Sequence, residues 1–367
     1  MPSELTPEDL RVTPNLLAPP AGLWIAARHR RTIAWCAALA GAVLALLAPA
    51  VWNGFPFMFY DTGAYIDLAM EGGFRAERSV FYAAFLGAFQ PGVSLWTAMA
   101  AQVLMTVLVM AAFARVLLPG LSPTRFFIIV VALTLGTALP WNAADMLPDI
   151  FAPILVLSLY LLGFHSRNIG WPYKLALMAV AVFAATAHAS HLGLTAGLTV
   201  GIALAQLALR RRPAAIAAPR FGLPALVFGL ALLSLVASNF LLTGRVFVSR
   251  AGPSFVLARL VQDGIAKRVL DDTCPASGYR LCAYKDDLPA DSNDFLWGWQ
   301  SPFLQLGTFA GMEAESKSIA IEGLKRYPLL NLKMAVRDTL QQFTAFQTGD
   351  GIEPLDDVPV PALLRLR

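Results

Sequence analysis

Charge is what this sequence has least of. Only 14% of its 367 residues are Asp, Glu, Lys or Arg, 57% are hydrophobic, and the mean hydropathy is +0.60. That balance excludes an ordinary soluble domain of this length. The period-2 alternation of an outer-membrane barrel strand is also missing. The apolar runs are instead continuous and rich in Ala, Leu and Val, and several reach the ~20 residues that cross a hydrocarbon core as a helix. No repeat recurs at a fixed period and no tract is of low complexity. Cysteine is scarce, at three residues, and histidine at four, and neither C-x-x-C nor Cys/His zinc spacing occurs. The fold class that remains is an all-α polytopic membrane protein.

The net charge of +4 does not form a nucleic-acid patch. Basic residues fall in short clusters between apolar runs: Arg28, Arg30 and Arg31; Arg115 and Arg125; Arg167 and Lys174; Arg210, Arg211, Arg212 and Arg220. Clusters at every second loop encode orientation, with the basic loops in the cytoplasm, so nucleic acid is excluded as a partner and membrane lipids are included.

This alternation predicts a cytoplasmic tail over residues 1–32 and about seven transmembrane helices within 33–245: 33–52, 93–116, 124–139, 149–164, two short spans within 173–209, and 222–242. The outer loops are then 53–92, 140–149 and 187–192. Residues 246–367 change character and read as a small extracytoplasmic α-rich region, with a helical stretch near 312–346. "APA" at 48–50 resembles a signal-peptide cleavage site, but the charged leader is much longer than a usual n-region. The expected setting is a bacterial inner membrane, with the N-terminus cytoplasmic and the C-terminus outside.

Cys36, inside the first span, reads as a small core residue. Cys274 and Cys282 sit in a polar segment placed outside, where an oxidising compartment favours a disulfide between them.

The outer loops hold the ionisable residues. "FPFMFYDTGAYIDLAMEGGFRAERSVFYAAF", residues 55–85, carries four acidic and two basic side chains in a chain that is otherwise apolar. As a helix it would put Asp61 and Tyr65 on one face and Asp67 and Glu71 on another, with Arg75 and Arg78 neutralising part of the charge. The plain alternative is a solvated loop. Asp145 and Asp149 flank Pro148 in the second loop. Asp149 falls in a first helical turn, where the macrodipole favours a carboxylate by roughly 0.3–1 kcal/mol and is a sufficient structural reason for it. His188 and His191, at i,i+3 in the third, would share a helical face and suit a metal, a phosphate or the acidic loop; the plain reading is hydrogen-bonded packing.

The order of these features resembles the GT-C superfamily of polyprenyl-phosphate-sugar-dependent glycosyltransferases. "DTGAYIDLA" supplies Asp61, Tyr65 and Ala69, and "RSVFYAAFLGAF" supplies Arg78 and Tyr82, where the family has an acidic first loop followed by an Arg- and Tyr-containing run. "MLPDIFAPILVLSLYLL" is similar to the family's second acidic loop, and "HASHLG" lies where many relatives carry Arg or His. The likeness spans roughly residues 33–245. Ser79 and Val80 replace prolines of the family pattern, Asp149 replaces a frequent Glu, and relatives generally have more spans.

The resemblance implies transfer of a sugar from a polyprenyl-phosphate carrier to an acceptor on the extracytoplasmic face. Asp61 would be the general base or a metal ligand, and Asp149 the second catalytic carboxylate. Tyr65, Arg78, Tyr82, Asp145, His188, His191, Arg245 and Arg250 would bind substrate, with Arg259 a further cation for the lipid phosphate. A divalent metal ion is the one cofactor implied, with Asp61, Asp149 and His188 as its candidate ligands. "SFVLARLVQDGIAKR" has the helical alternation of an interfacial helix over a lipid-bound substrate. Two other classes compete. A non-catalytic membrane assembly factor shares every compositional feature. A transporter or lipid flippase calls for ionisable residues near mid-bilayer, and the interiors of the expected spans have no Asp, Glu, Lys or Arg.

Overall fold

A computed structural model describes residues 21–210 and 218–346, without the side chains of 21–28. Helices make up 76% of the structure, and there are no strands among the described residues. The tail before residue 21, Arg211 and Arg212, and the chain after 346 lie outside the described residues.

Helix α1 (Ala21–Asn53) leads through α2 (Tyr60–Glu71) and α3 (Val80–Ala88) to α4 (Trp96–Leu117). Then follow α5 (Pro123–Gly136), α6 (Leu139–Ala144), α7 (Phe151–Phe164), α8 (Trp171–Ala187), α9 (Ala189–Leu209) and α10 (Gly222–Thr243). Among the described residues four helical segments are long and apolar enough to cross a membrane: His29–Asn53, Trp96–Leu117, Ala189–Leu209 and Gly222–Thr243. Three shorter apolar helices accompany them, at Pro123–Gly136, Pro148–Phe164 and Trp171–Ala187. Only 17% of the apolar α9 window is buried within the protein, so the rest of that surface needs an apolar solvent, which lipid supplies.

Local chemistry explains where these helices begin and end. Ser122 caps α5 by accepting from the Arg125 N–H at 3.2 Å, with Pro123 in the first turn, where its missing donor costs nothing. Gly244, at φ 70°, ends α10 in the left-handed conformation that glycine adopts without penalty. Small residues let helices approach, and a Cβ added at Gly41 of α1 would come within 2.9 Å of the Phe127 ring of α5.

Buried apolar side chains form two clusters. The first joins the bundle helices through residues such as Leu46, Met99, Val103, Phe126, Phe151 and Leu155. The second is built from α11 (Gly252–Gln262), α12 (Ile265–Thr273), α13 (Ser292–Trp297), α14 (Pro302–Gln305) and α15 (Thr308–Arg326), around Leu257, Leu270, Phe295, Phe303 and Met312. Ala76 of the α2–α3 connection packs on this second cluster, and Phe74 meets Phe247 edge-on at 5.5 Å. The last helix among the described residues, α16 (Pro328–Gln342), has no buried residue.

α1 starts at Ala21, ahead of the expected span, because the Ala and Arg residues of "AARHRR" continue the helix beyond its apolar part. Three local expectations change. Cys36 is exposed on α1, not buried in its core. "SFVLARLVQDGIAKR" is two helices parted at Gly264, φ 69°, with Leu257, Leu260 and Val261 buried in the second cluster; that apolar face is covered by protein rather than lipid. The stretch 312–346 breaks at Tyr327, the residue before Pro328, where proline disfavours continued helix.

Candidate functional site

Three connections meet at one end of the bundle: α1 to α4, α6 to α7, and α8 to α9. The first two are tied by an isolated parallel bridge, in which the Phe57 N–H donates to Ala144 O at 3.2 Å and the Met146 N–H to Phe57 O at 2.9 Å. Thr62 adds to this by accepting from the Phe59 N–H at 2.9 Å and donating to Met146 O at 3.2 Å. The third joins through Ser79, which caps α3 by accepting from the Phe81 N–H and donates to Thr186 O at 2.6 Å. A buried backbone carbonyl met by a side chain in this way fixes the loop's position.

Within this frame α2 carries Asp61 in its first turn, favourable for a carboxylate, and Tyr65 one turn later on its buried side. Gly72 and Gly73, both at positive φ, end the helix and let the chain return towards Asp61. That return places Arg78 in an ion pair with Asp61, with the Arg78 side chain only 8% exposed and that of Asp61 36%. The Arg78 guanidinium carbon lies 5.7 Å from the Tyr65 ring centroid and 6.0 Å from that of Trp297. Arg78 Nη1 donates to Glu77 O at 3.2 Å, while its buried Nε has no partner among the described residues. Asp67 pairs separately with Arg75, at 3.4 Å and in the open.

Behind this pair is a second polar layer. Tyr65 and Tyr82 meet edge-to-face at 5.0 Å, and the Tyr82 hydroxyl donates to Gln102 Oε1 at 3.1 Å. Gln102 Nε2 donates to the carbonyls of Ala143 at 3.1 Å and Asp145 at 2.8 Å. The Asp145 carboxylate leaves Oδ1 buried and unpartnered among the described residues. Burial first, and the charge of Asp149 second, push the Asp145 carboxyl up to about 6.

Asp149 lies exposed in the 3-10 turn Pro148–Ile150 that opens α7, and its charge reaches Asp61, Asp145 and His188. Burial raises the Asp61 carboxyl above its ordinary value; Arg78 and His188 oppose that rise, and Asp149 and Glu77 add to it. His188 is held below its ordinary value by burial, with Asp149 pulling the other way. Asp61, Arg78, His188 and Asp149 are therefore one electrostatic group drawn from all three connections.

The histidine pair differs from the expected helical face. His188 is the extended N-cap of α9, accepting at Nδ1 from the Ser190 N–H and lying 2.7 Å from the Ser190 hydroxyl. His191 is buried inside α9, with Nδ1 2.8 Å from Ala184 O, so it acts as a packing and capping residue, 5.4 Å from His188 between ring centroids. The expected arginines are spread out. Arg250 donates to Glu313 at 2.8 and 2.5 Å, Arg259 pairs with Asp263 and Asp338, and Arg245 is exposed; none acts on the charge of Asp61 as Arg78 does.

Among the described residues no three His, Cys, Asp or Glu side chains gather as ligands, and the Asp61 carboxylate is already committed to a guanidinium. Trp297, Gln102 and Thr62 went unnoticed in the sequence. The two tryptophans in "DFLWGWQSPF", directly after the polar stretch 285–294, are the available signal. Comparisons with family models, with curated proteins and with solved structures find no match.

Proposed function

We propose that this chain is a GT-C-like membrane glycosyltransferase, moving a sugar from a polyprenyl-phosphate carrier to an acceptor hydroxyl on the extracytoplasmic face. The observation that carries this reading is the convergence of Asp61, Arg78, His188 and Asp149 from three separate connections at one end of an apolar bundle. Asp61 is the general base: its carboxylate takes the acceptor proton as the acceptor oxygen bonds to the sugar and the sugar–phosphate bond breaks. A carboxyl raised by burial is a better proton acceptor when ionised than a solvated one. Arg78 meets the departing phosphate, whose oxygen would fill the unpartnered Nε. Asp149 and neutral His188 orient the acceptor.

The four long helices and three shorter apolar ones support about seven spans. An odd number puts the two ends of the bundle's chain on opposite sides, with residues 246–367 outside, where the Cys274–Cys282 disulfide is at home. The bacterial inner membrane is the setting this reading takes. No step requires a metal ion.

A second reading, a non-catalytic membrane assembly factor, is favoured by one observation. Leu329, Leu332, Val336, Leu340 and Phe343 stand exposed at helical spacing along and just past α16, a face that a protein partner would cover. The two separate by incubating the purified chain in nanodiscs with polyprenyl-phosphate-linked hexoses. Release of free polyprenyl phosphate supports the enzyme, and no release from any carrier supports the assembly factor.

A further inference from the structure

Trp297, which packs on Arg78, also lines a cavity of about 470 Å3 between the α2–α3 connection and the C-terminal helices. Its aromatic lining comprises Phe74, Trp297, Phe303 and Phe309, and Glu77, Arg250 and Thr308 bring polar atoms to it. These polar groups have unused capacity. The Glu77 carboxylate and the Thr308 hydroxyl make no hydrogen bond or ion pair with another described residue. Arg250 spends Nε and Nη2 on Glu313 and keeps Nη1. Thr308 is also strained: a β-branched residue at φ 57°, in the left-handed region, directly after Gly307 at φ 97°. Such strain persists only where surrounding structure holds it, and it gathers at ligand sites.

The chemistry of the walls selects the occupant. An apolar guest would leave Glu77 and Thr308 unsatisfied. A phosphate would face the Glu77 carboxylate, and the charge of Arg250 is already matched by Glu313. An organic cation would sit between Arg250 and the Arg78 guanidinium behind Trp297. A neutral ring bearing hydroxyls fits all of them. Its C–H face stacks on the Trp297 ring, one hydroxyl donates to Glu77, and others accept from Arg250 and Thr308.

We propose that this cavity binds a carbohydrate ring, and that the ring belongs to the acceptor of the transfer. The second half of that statement rests on the glycosyltransferase reading; the first does not. Trp297 joins the two places, since one ring touches both the bound sugar and the arginine that pairs with Asp61.

Saturation-transfer difference NMR on the full chain in nanodiscs tests the site by binding alone, without turnover. The probes are methyl glucoside, methyl galactoside and methyl mannoside, with choline as the cationic comparison. The expected result is saturation of ring C–H protons in at least one glycoside and none in choline. Trp297→Ala should weaken binding about five- to tenfold. Thr308→Gly, which relieves the backbone and so keeps the fold, should weaken it about threefold. Saturation of choline instead, no saturation of any glycoside, or wild-type binding by both variants would overturn the proposal. Glycoside binding by a chain that releases no polyprenyl phosphate would leave the carbohydrate site standing and remove the enzyme.

Discussion

Arg78 forms its ion pair with Asp61 while its guanidinium lies within 6.0 Å of the rings of both Tyr65 and Trp297. Three parts of the chain meet in that contact: the α2 helix, the loop that follows it and the helices after residue 250. The pair therefore ties these three parts together at one end of the bundle.

Replacing Arg78 by Met separates its two effects. Asp61 loses the cation that lowers its pKa, so the carboxyl, already raised, rises further. Its ionised form is lost as pH falls through that value, and the acid limb of the transfer rate should move to higher pH. The pair lies between exposed and fully buried, so stability should drop by roughly 2 kcal/mol. A pH–rate profile and a thermal melt in detergent read the two effects separately. An unshifted acid limb would mean that Asp61 is not the group titrating.

Asp145 gives a stability prediction of opposite sense to the usual carboxylate. Its folded value of about 6 lies above the 3.8 of an unperturbed Asp, so the folded state binds the proton more tightly. The benefit is complete below about 3.8 and is lost as pH rises through about 6. Asp145→Asn, which cannot ionise, should melt above the wild type at pH 7.5, by the equivalent of up to about 3 kcal/mol, and close to it at pH 4. Equal melting at both pH values would contradict the burial described.

Much of this architecture is legible in the residues. Continuous apolar runs set the helices, Ser122-Pro123 and Gly244 set two ends, and the polar loops 53–92 and 140–149 hold the acids that the structure gathers. Other features were not, because each depends on a distant contact. The bridge of Phe57 to the Asp145 segment spans more than eighty residues, and Trp297 reaches Arg78 from over two hundred residues away. Local spacing carries no record of either. His188 and His191 mislead for a different reason: i,i+3 implies a shared face only if both are helical, and His188 is the cap. Arginines such as Arg250 look available in sequence because their partner, here Glu313, lies sixty-three residues on.

The disulfide between Cys274 and Cys282 closes a short loop beside the second buried cluster. Replacing both by Ser should lower the stability of that region by roughly 2–3 kcal/mol in the chain-entropy model. Limited proteolysis between residues 270 and 290, compared with wild type, checks it. Mass mapping without reductant should find the two cysteines joined in native membranes.

The most direct measurement compares Asp61→Asn with Asp67→Asn in release of polyprenyl phosphate from a lipid-linked hexose. Both residues lie on α2 and each pairs with an arginine, but only Asp61 shares the electrostatic group with His188 and Asp149. Asn keeps the shape of the side chain and removes its charge. Asp61→Asn should insert, lose roughly the same 2 kcal/mol as Arg78→Met because it leaves the buried guanidinium unpaired, and slow transfer per folded molecule by ~10²- to 10⁴-fold. Asp67→Asn, which gives up an exposed pair, should stay within about fivefold of wild type. Full activity in Asp61→Asn, or equal loss in both variants, would contradict Asp61 as the base.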